Sequence, residues 1–391
     1  MANTLNLGNG NWATKEDSLL AYNSENGNFK PLPFDFTRAS SATVVNKAGL
    51  IETVGSGEPR IDFSNDAKGA LLLEPTRSNL VTYSEAFDNA AWIKVGGAIT
   101  PNIGVSPDGS LNADRFYIST AAANTRLYIN YTYSASTYTA SVYAKNNGNT
   151  NTFRFSYADS GGQSFSPNFT LTNQWQRFEY TFTSVGGSGV FWFACVTSST
   201  GVGSELDIQI FGAQLEQGSY ATSYIPTQGS AVTRVADACS QTPPTGIIGQ
   251  TEGTLFTEFE FNYSDSNTQV LLKANQSSDA NSVGIEILGT TIKGLVNSQS
   301  LSLANIQGTI AIGKIKAAIA YKTNDIAFYV NGVQVGIISS GSIDFAGVVN
   351  ILTIGHFSLN GGQYFPSSRP FNEAKLYNTR LSNAELQALT S

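Results

Sequence analysis

The chain has 391 residues, 22 Lys and Arg against 29 Asp and Glu, a formal net charge of −7 and only 13% charged residues. No cluster of Lys and Arg marks a nucleic-acid footprint or a face for anionic membranes. Thirty-seven glycines, 17 tyrosines and 23 phenylalanines, in a background of Ser, Thr and Asn, favour pleated sheet with frequent turns over helical bundles. At about 150 residues per domain the length suggests two or three domains.

Residues 1–69 read as an extended N-terminal arm without a core of its own. They are turn-rich, with prolines in "FKPLPFDF" and "EPR". Within them "SATVVN", "KAG" and "LIET" read as strand, turn, strand. Val44, Val45, Leu50 and Ile51 would then need another surface to bury them: a sandwich of this chain, a neighbouring subunit or a larger particle. These four are the candidate attachment residues. The sharper form of that reading expects residues 70–391 to fold without the arm.

Residues 70–238 read as one antiparallel β domain. Leu127, Ile129, Tyr131 and Tyr133 share a face in "RLYINYTY", and Phe153, Phe155 and Tyr157 do so in "FRFSYA". Phe178, Tyr180 and Phe182 repeat the pattern, and Leu206, Ile208 and Ile210 supply a last strand. Residues 239–249, with Pro243-Pro244, read as a linker.

Residues 250–391 read as a second β domain. Leu255, Thr257, Phe259, Phe261 and Tyr263 lie on one side of "TLFTEFEFNY". Asn331-Gly332 between alternating strands predicts a tight hairpin, because both central residues of such a turn need positive φ. "RLSNAELQALTS" predicts a short C-terminal helix with Ser382 as N-cap, Glu385 completing a capping box, and Leu386 and Leu389 facing inward. The fold class expected is all-β: two antiparallel β-sandwich (jelly-roll) domains behind the arm.

Catalytic signatures are sparse. The only histidine is His356, read as a strand-end ring, so a nucleophile–histidine pair has little to draw on. One histidine with Cys195 and Cys239 gives too few ligands for zinc. Cys195 in "VFWFACV" reads as a small buried hydrophobe, with a Cys195–Cys239 bridge as the alternative. Glu258 and Glu260 alternate with apolar residues, the pattern of a solvated strand face rather than a glycosidase pair. Calcium asks for oxygen-rich loops. Asp108, Asn112 and Asp114 in "SPDGSLNAD", and Asp265 with Asn267 in "NYSDSNT", are the candidates for a structural calcium, although turn chemistry alone explains such residues. Trp175 and Trp192 read as core residues rather than sugar platforms, and Tyr128 and Tyr364 as weak sugar-stacking candidates. No apolar run is long enough to span a bilayer, and "MANTLNLGNGNWATKED" lacks the form of a secretory signal.

Several pieces resemble a known group of proteins. "YSEAFDNAAWIK", "DGSLNADRFY", "YTASVYAK", "NQWQRFEYTFT" and above all "GAQLEQGSYATSYIPT" are similar to a jelly-roll module of bacteriophage virion proteins, itself similar to carbohydrate-binding jelly rolls of bacterial enzymes. "KAAIAYKTNDIAFYVNGVQVG" and "YNTRLSNAELQAL" resemble a concanavalin-like, laminin-G-like sandwich. "LNLGNGNWATKEDSLLAYN" with "FTRASSATVVNKAGLIE" is similar to leading segments of phage tail- or head-fibre proteins, particularly of phages infecting Bacteroidetes. The resemblance implies a non-enzymatic virion structural protein, such as a head fibre, decoration or tail appendage, made in the host cytoplasm. Its implied partners are other virion proteins (capsid, portal or tail), further copies of itself, with a homotrimer as the family's analogy, and host-surface glycans. It implies no nucleic-acid partner and no membrane insertion. The rival expectation is an exported carbohydrate-binding module or a component of a polysaccharide-degrading enzyme.

Overall fold

The computed structural model describes residues 4–15, 18–20, 22–23, 33–119, 125–147, 152–194, 205–242, 246–262, 268–276, 278–355, 357–359, 362–364 and 370–391. The fold is all-β, built from antiparallel sheets, with one helix among the described residues at Asn383–Thr390. The chain divides into two compact units. The first comprises Met1–Ala48, Val54–Thr76 and Val235–Ser391; the second comprises Gly49–Thr53 and Arg77–Arg234.

The first unit is a sandwich of two sheets, each nine-stranded among the described residues. One sheet runs in the order Val333–Ile338, Ile326–Val330, Gly313–Lys322, Glu252–Phe261, Phe371–Tyr377, Thr4–Gly8, Tyr22–Asn23. The other runs Ala13–Lys15, Ser18–Leu20, Pro33–Thr37, Ala238–Gln241, Ile351–Ile354, Gln269–Asn275, Ser282–Leu288, Thr291–Ser298, Leu301–Thr309. Alternate residues of both sheets fill one core, in which Leu5, Leu7, Leu19, Phe34 and Phe36 meet Leu255, Phe259, Ile285 and Leu352. Phe256, Ala318, Ala320, Ala327 and Tyr329 lie on the opposite face of the first sheet, where the C-terminal helix covers them with Leu386. The helix begins as expected, with a complete capping box between Ser382 and Glu385. The hairpin turn also forms, with Asn331 at φ 48° and Gly332 at φ 76°.

This arrangement corrects the expected linear order. Residues 1–69 are not an arm set ahead of two finished sandwiches. Thr4–Gly8 pairs antiparallel with Phe371–Tyr377, from Thr4 opposite Tyr377 to Gly8 opposite Glu373. Pro33–Thr37 pairs with Ala238–Gln241, which in turn pairs with Ile351–Ile354. The stretch expected to be a linker therefore contributes an interior strand and a buried Ile248, while Pro243-Pro244 lies outside the described residues. Sheet pairing is non-local, so short strands that look coreless in sequence can complete a distant sheet.

Buried charges lock the same junctions. Asp237 accepts hydrogen bonds from Arg38 Nη1 at 3.0 Å, from the Glu74 amide at 2.7 Å and from Arg60 Nη2. Arg60 Nη1 also donates to Glu74 at 2.8 Å. Burial works against the Arg60 charge, yet the carboxylates of Asp237 and Glu74 outweigh it and hold its pKa above the ordinary value.

The expected hairpin forms from Ala42–Val45 and Ile51–Val54. Val44 and Ile51 are buried within the chain, Val45 is half-buried, and Leu50 is 40% exposed. Of the four candidate attachment residues, Leu50 is thus the outward-facing one.

The second unit is built on two long strands, Arg126–Asn146 and Gln176–Ala194, paired from Arg126 opposite Ala194 to Ala144 opposite Gln176. In the first half of Arg126–Asn146 the inward residues are odd-numbered: Leu127, Ile129, Tyr133. Past the bend they are even-numbered: Tyr138, Ala140, Val142, Ala144. Tyr138 turns back at that bend and accepts a hydrogen bond from the Ser134 amide at 3.1 Å. Leu206–Gln217 pairs with the second half of this strand and with Leu111–Ile118, and Thr152–Asp159 pairs with the end of Gln176–Ala194. Both halves thereby enclose one aromatic core containing Trp92, Phe116, Phe155, Phe182 and Phe193.

Candidate functional site

The site grows out of the second unit's last strand. Leu206–Gln217 is nearly all buried, yet it carries Gln214 and Glu216. Gln214 accepts the Ile225 amide at 2.7 Å, and Glu216 accepts the Thr222 amide at 3.0 Å as well as its hydroxyl. Asn79 uses its whole amide. Its Nδ2 donates to the carbonyls of Ala213 (3.0 Å) and Ile225 (2.8 Å), and its Oδ1 accepts from the amides of Val81 (3.1 Å) and Leu215 (3.2 Å). Buried polar groups this fully satisfied fix a single backbone path. The "GAQLEQGSYATSYIPT" stretch is therefore a brace that lays residues 222–227 along 79–84.

The brace positions Tyr224 and Glu85. The Tyr224 hydroxyl donates to Glu85 Oε1 at 2.8 Å and lies 2.6 Å from Ser84 Oγ. A second support is Asp114, only 1% exposed. Its Oδ1 accepts the amide of Asn102 at 2.9 Å and its Oδ2 the amide of Phe87 at 2.9 Å. Asn102 sits at φ 55° where Ala98–Val105 slips register against Leu111–Ile118. Asn tolerates this left-handed conformation better than most residues, and the slip turns its amide toward Asp114.

Between these supports lies a cavity of about 430 Å³, with Tyr83, Glu85, Asp88, Asn102, Asn112, Asp114 and Gln228 among its lining residues. Asn112 Nδ2 donates to Glu85 Oε2 at 3.2 Å and to Asp108 Oδ2 at 3.3 Å. Asn112 Oδ1 is buried without a hydrogen-bond partner. Burial raises the pKa of Glu85, with repulsion from Asp108 adding to it, while hydrogen bonds from Tyr224 and Asn112 pull the other way. Burial likewise raises Asp114 against the two amides that stabilise its charge.

The calcium candidates meet only in part. Asp108 and Asn112 adjoin, with Glu85 as a third oxygen bearer that the sequence did not single out. Asp114 instead gives both oxygens to backbone amides, and Asp108 caps its own turn by accepting from the Ser110 amide at 2.8 Å and from Ser106 Oγ. Asp265 lies outside the described residues. Among the described residues no group of three or more His, Cys, Asp or Glu side chains is placed to hold a metal ion. An all-oxygen set of Glu85, Asp108 and Asn112 would suit a hard cation rather than zinc.

Other candidates are scattered. Trp175, expected in the core, is half-buried; its indole donates to the Val105 carbonyl at 3.0 Å and Lys145 Nζ sits 4.7 Å from its ring centre. Tyr128 is half-buried beside the Arg126 guanidinium. Cys239 is a buried thiol. His356, Cys195 and the side chains of Trp192 and Tyr364 lie outside the described residues.

No family model matches the sequence, and no curated protein matches it. Among solved structures, the Ruminococcus gnavus IT-sialidase CBM40 is similar at 14% identity, over 37% of this chain and 84% of that one, with a TM-score of 0.32. The NanB sialidase from Streptococcus pneumoniae is similar at 16% identity, over 37% of this chain and 25% of that one, with a TM-score of 0.32. The binding domain of Botulinum neurotoxin DC, in complex with rat synaptotagmin II, is similar at 9% identity, over 40% of each chain, also with a TM-score of 0.32. Agreement at this level identifies neither a family nor a ligand, and the all-β description rests on the strand pairing above.

Proposed function

We propose that the second unit binds glycans without cleaving them, through the cavity beside Glu85. The observation that carries this reading is Asn112 Oδ1, a buried acceptor without a partner at a cavity of about 430 Å³. An unmade hydrogen bond at a buried acceptor costs roughly 1–3 kcal/mol, and a ligand hydroxyl would remove that cost. The volume falls in the range of roughly 300–1,000 Å³ typical of small-ligand sites. Tyr83, Asn102 and Gln228 add further hydrogen-bonding groups at the lining. A sugar ring, with hydroxyls that both donate and accept, suits such a set.

The non-catalytic part of the proposal rests on how two of the lining carboxylates, Asp114 and Glu85, are used. Asp114 is committed to two backbone amides, and Glu85 to Tyr224 and Asn112. Neither is left as a free base opposite a free acid.

A glycan array probed with the full chain tests the reading. Binding to at least one glycan, reduced in Asn112→Ala and Gln228→Ala and without release of new reducing ends, is the expected result. Silence across the array, with and without added calcium, would overturn it. The narrower form of the proposal places the module on a virion and is supported by the sequence resemblance alone. The alternative home, an exported carbohydrate-binding module, uses the same cavity. The protein inventory of purified phage particles separates the two.

A further inference from the structure

The first unit carries a second cleft, of about 590 Å³, on the outer face of its helix-bearing sheet. It is lined by charged side chains from three strands and a loop, with Phe256, Ala388 and Leu389 as an apolar wall. The charges balance. Lys314 contacts Asp66 at 2.9 Å, Glu258 at 3.4 Å and Glu260 at 3.7 Å, and Lys375 contacts Glu373 at 2.8 Å. Lys68 Nζ donates instead to Asn9 Oδ1 at 2.7 Å, and Lys316 Nζ to a main-chain oxygen of Ser391. Four lysines thus stand among four side-chain carboxylates.

At this cleft Asn372 is 4% exposed. Its Nδ2 donates to Asp66 Oδ2 at 2.9 Å, and its Oδ1 has no hydrogen-bond partner. A buried acceptor in this state calls for a donor, while Lys68 and Lys316 offer donors toward the same space. A group that both donates and accepts meets both needs, and a hydroxyl is such a group. Charge balance favours no net charge on the ligand, because either sign meets like charges along the walls.

We propose that this cleft is a separate binding site for a neutral, polyhydroxylated ligand of saccharide type, with Asn372, Lys68 and Lys316 as its polar contacts. The proposal does not depend on the cavity beside Glu85. Titration calorimetry on the full chain with maltohexaose, cellohexaose and xylohexaose, and with oligogalacturonate as the anionic comparison, tests it. Lys68→Ala and Lys316→Ala alter exposed or half-exposed side chains and should leave the unfolding temperature unchanged. The expected result is binding of at least one neutral oligosaccharide, weakened fivefold or more by Lys68→Ala and by Lys316→Ala and unaffected by Asn112→Ala in the other unit. Failure of all three neutral probes, preference for oligogalacturonate, or indifference to both lysine substitutions would overturn the proposal.

Discussion

Arg38 and Asp237 stand 199 positions apart in sequence and form an ion pair at 3.0 Å with both side chains fully buried. The pair joins the segment after Pro33–Thr37 to the segment before Ala238–Gln241, two strands that are direct neighbours in one sheet. Arg60 and Glu74 complete the cluster. Removing one partner from such a cluster strands the others in a dry interior. Asp237→Ala should therefore destabilise the first unit by about 3–5 kcal/mol. Urea unfolding followed by near-ultraviolet circular dichroism measures this; a loss under 1 kcal/mol would show that the arginines find other partners.

Deletion of residues 1–69 follows the same logic. It removes Thr4–Gly8 and Pro33–Thr37 from the two sheets of the first unit, five core side chains (Leu5, Leu7, Leu19, Phe34, Phe36), and both Arg38 and Arg60. The truncated chain should lose the first unit's cooperative unfolding transition. A truncated protein that keeps the full enthalpy of unfolding would mean the segment is an appendage after all.

Gly8 makes a finer test of the same junction. It has φ +98°, and a Cβ there would sit 2.3 Å from the Asn372 carbonyl oxygen. Gly49 has φ +80° with open space around it. Both alanine variants carry the left-handed backbone cost, roughly 1–2 kcal/mol, but only Gly8→Ala also meets a backbone atom. The Gly8→Ala loss should exceed that of Gly49→Ala, and equal losses would show that the Thr4–Gly8 strand yields without penalty.

The raised pKa of Glu85 sets a sign for pH dependence. Burial, then repulsion from Asp108, holds the folded-state value above 4.5 despite the bonds from Tyr224 and Asn112. The folded state binds this proton more readily than the unfolded state, so the protonated group's contribution is fully present below the unfolded pKa. It is lost as pH rises through the folded pKa. The stability of the wild type relative to Glu85→Gln should fall as pH rises from about 4.5 through the raised folded-state pKa. Thermal unfolding of both proteins across that window checks it, and a constant gap would place Glu85 in a more watery setting.

Much of the fold was legible because alternation is local. The inward faces of Leu127–Ile129, Phe153–Phe155 and Leu206–Ile210, the Asn331-Gly332 turn and the Ser382 capping box all depend on neighbours a few residues away. The fate of residues 1–69 was not legible, because the strand that ties Thr4–Gly8 into its sheet, Phe371–Tyr377, is more than 360 positions downstream. The site was half legible. Asp108 and Asn112 stand out in the sequence only as calcium candidates. Glu85, Tyr224, Gln214 and Glu216 were missed, although polar residues inside the otherwise apolar run Leu206–Gln217 were the available signal. Asp114 looked like a ligand and proved to be a strut, since its two amide donors come from Asn102 and Phe87 on separate segments.

Glycan binding at the cavity beside Glu85 is decided by calorimetric titration of the full chain with the strongest glycan from the array, in the wild type and in Asn112→Ala. One saturable binding event is expected in the wild type, weakened about tenfold, roughly 1.4 kcal/mol, in Asn112→Ala at a temperature where both proteins are fully folded. Equal affinity in the two proteins would contradict it.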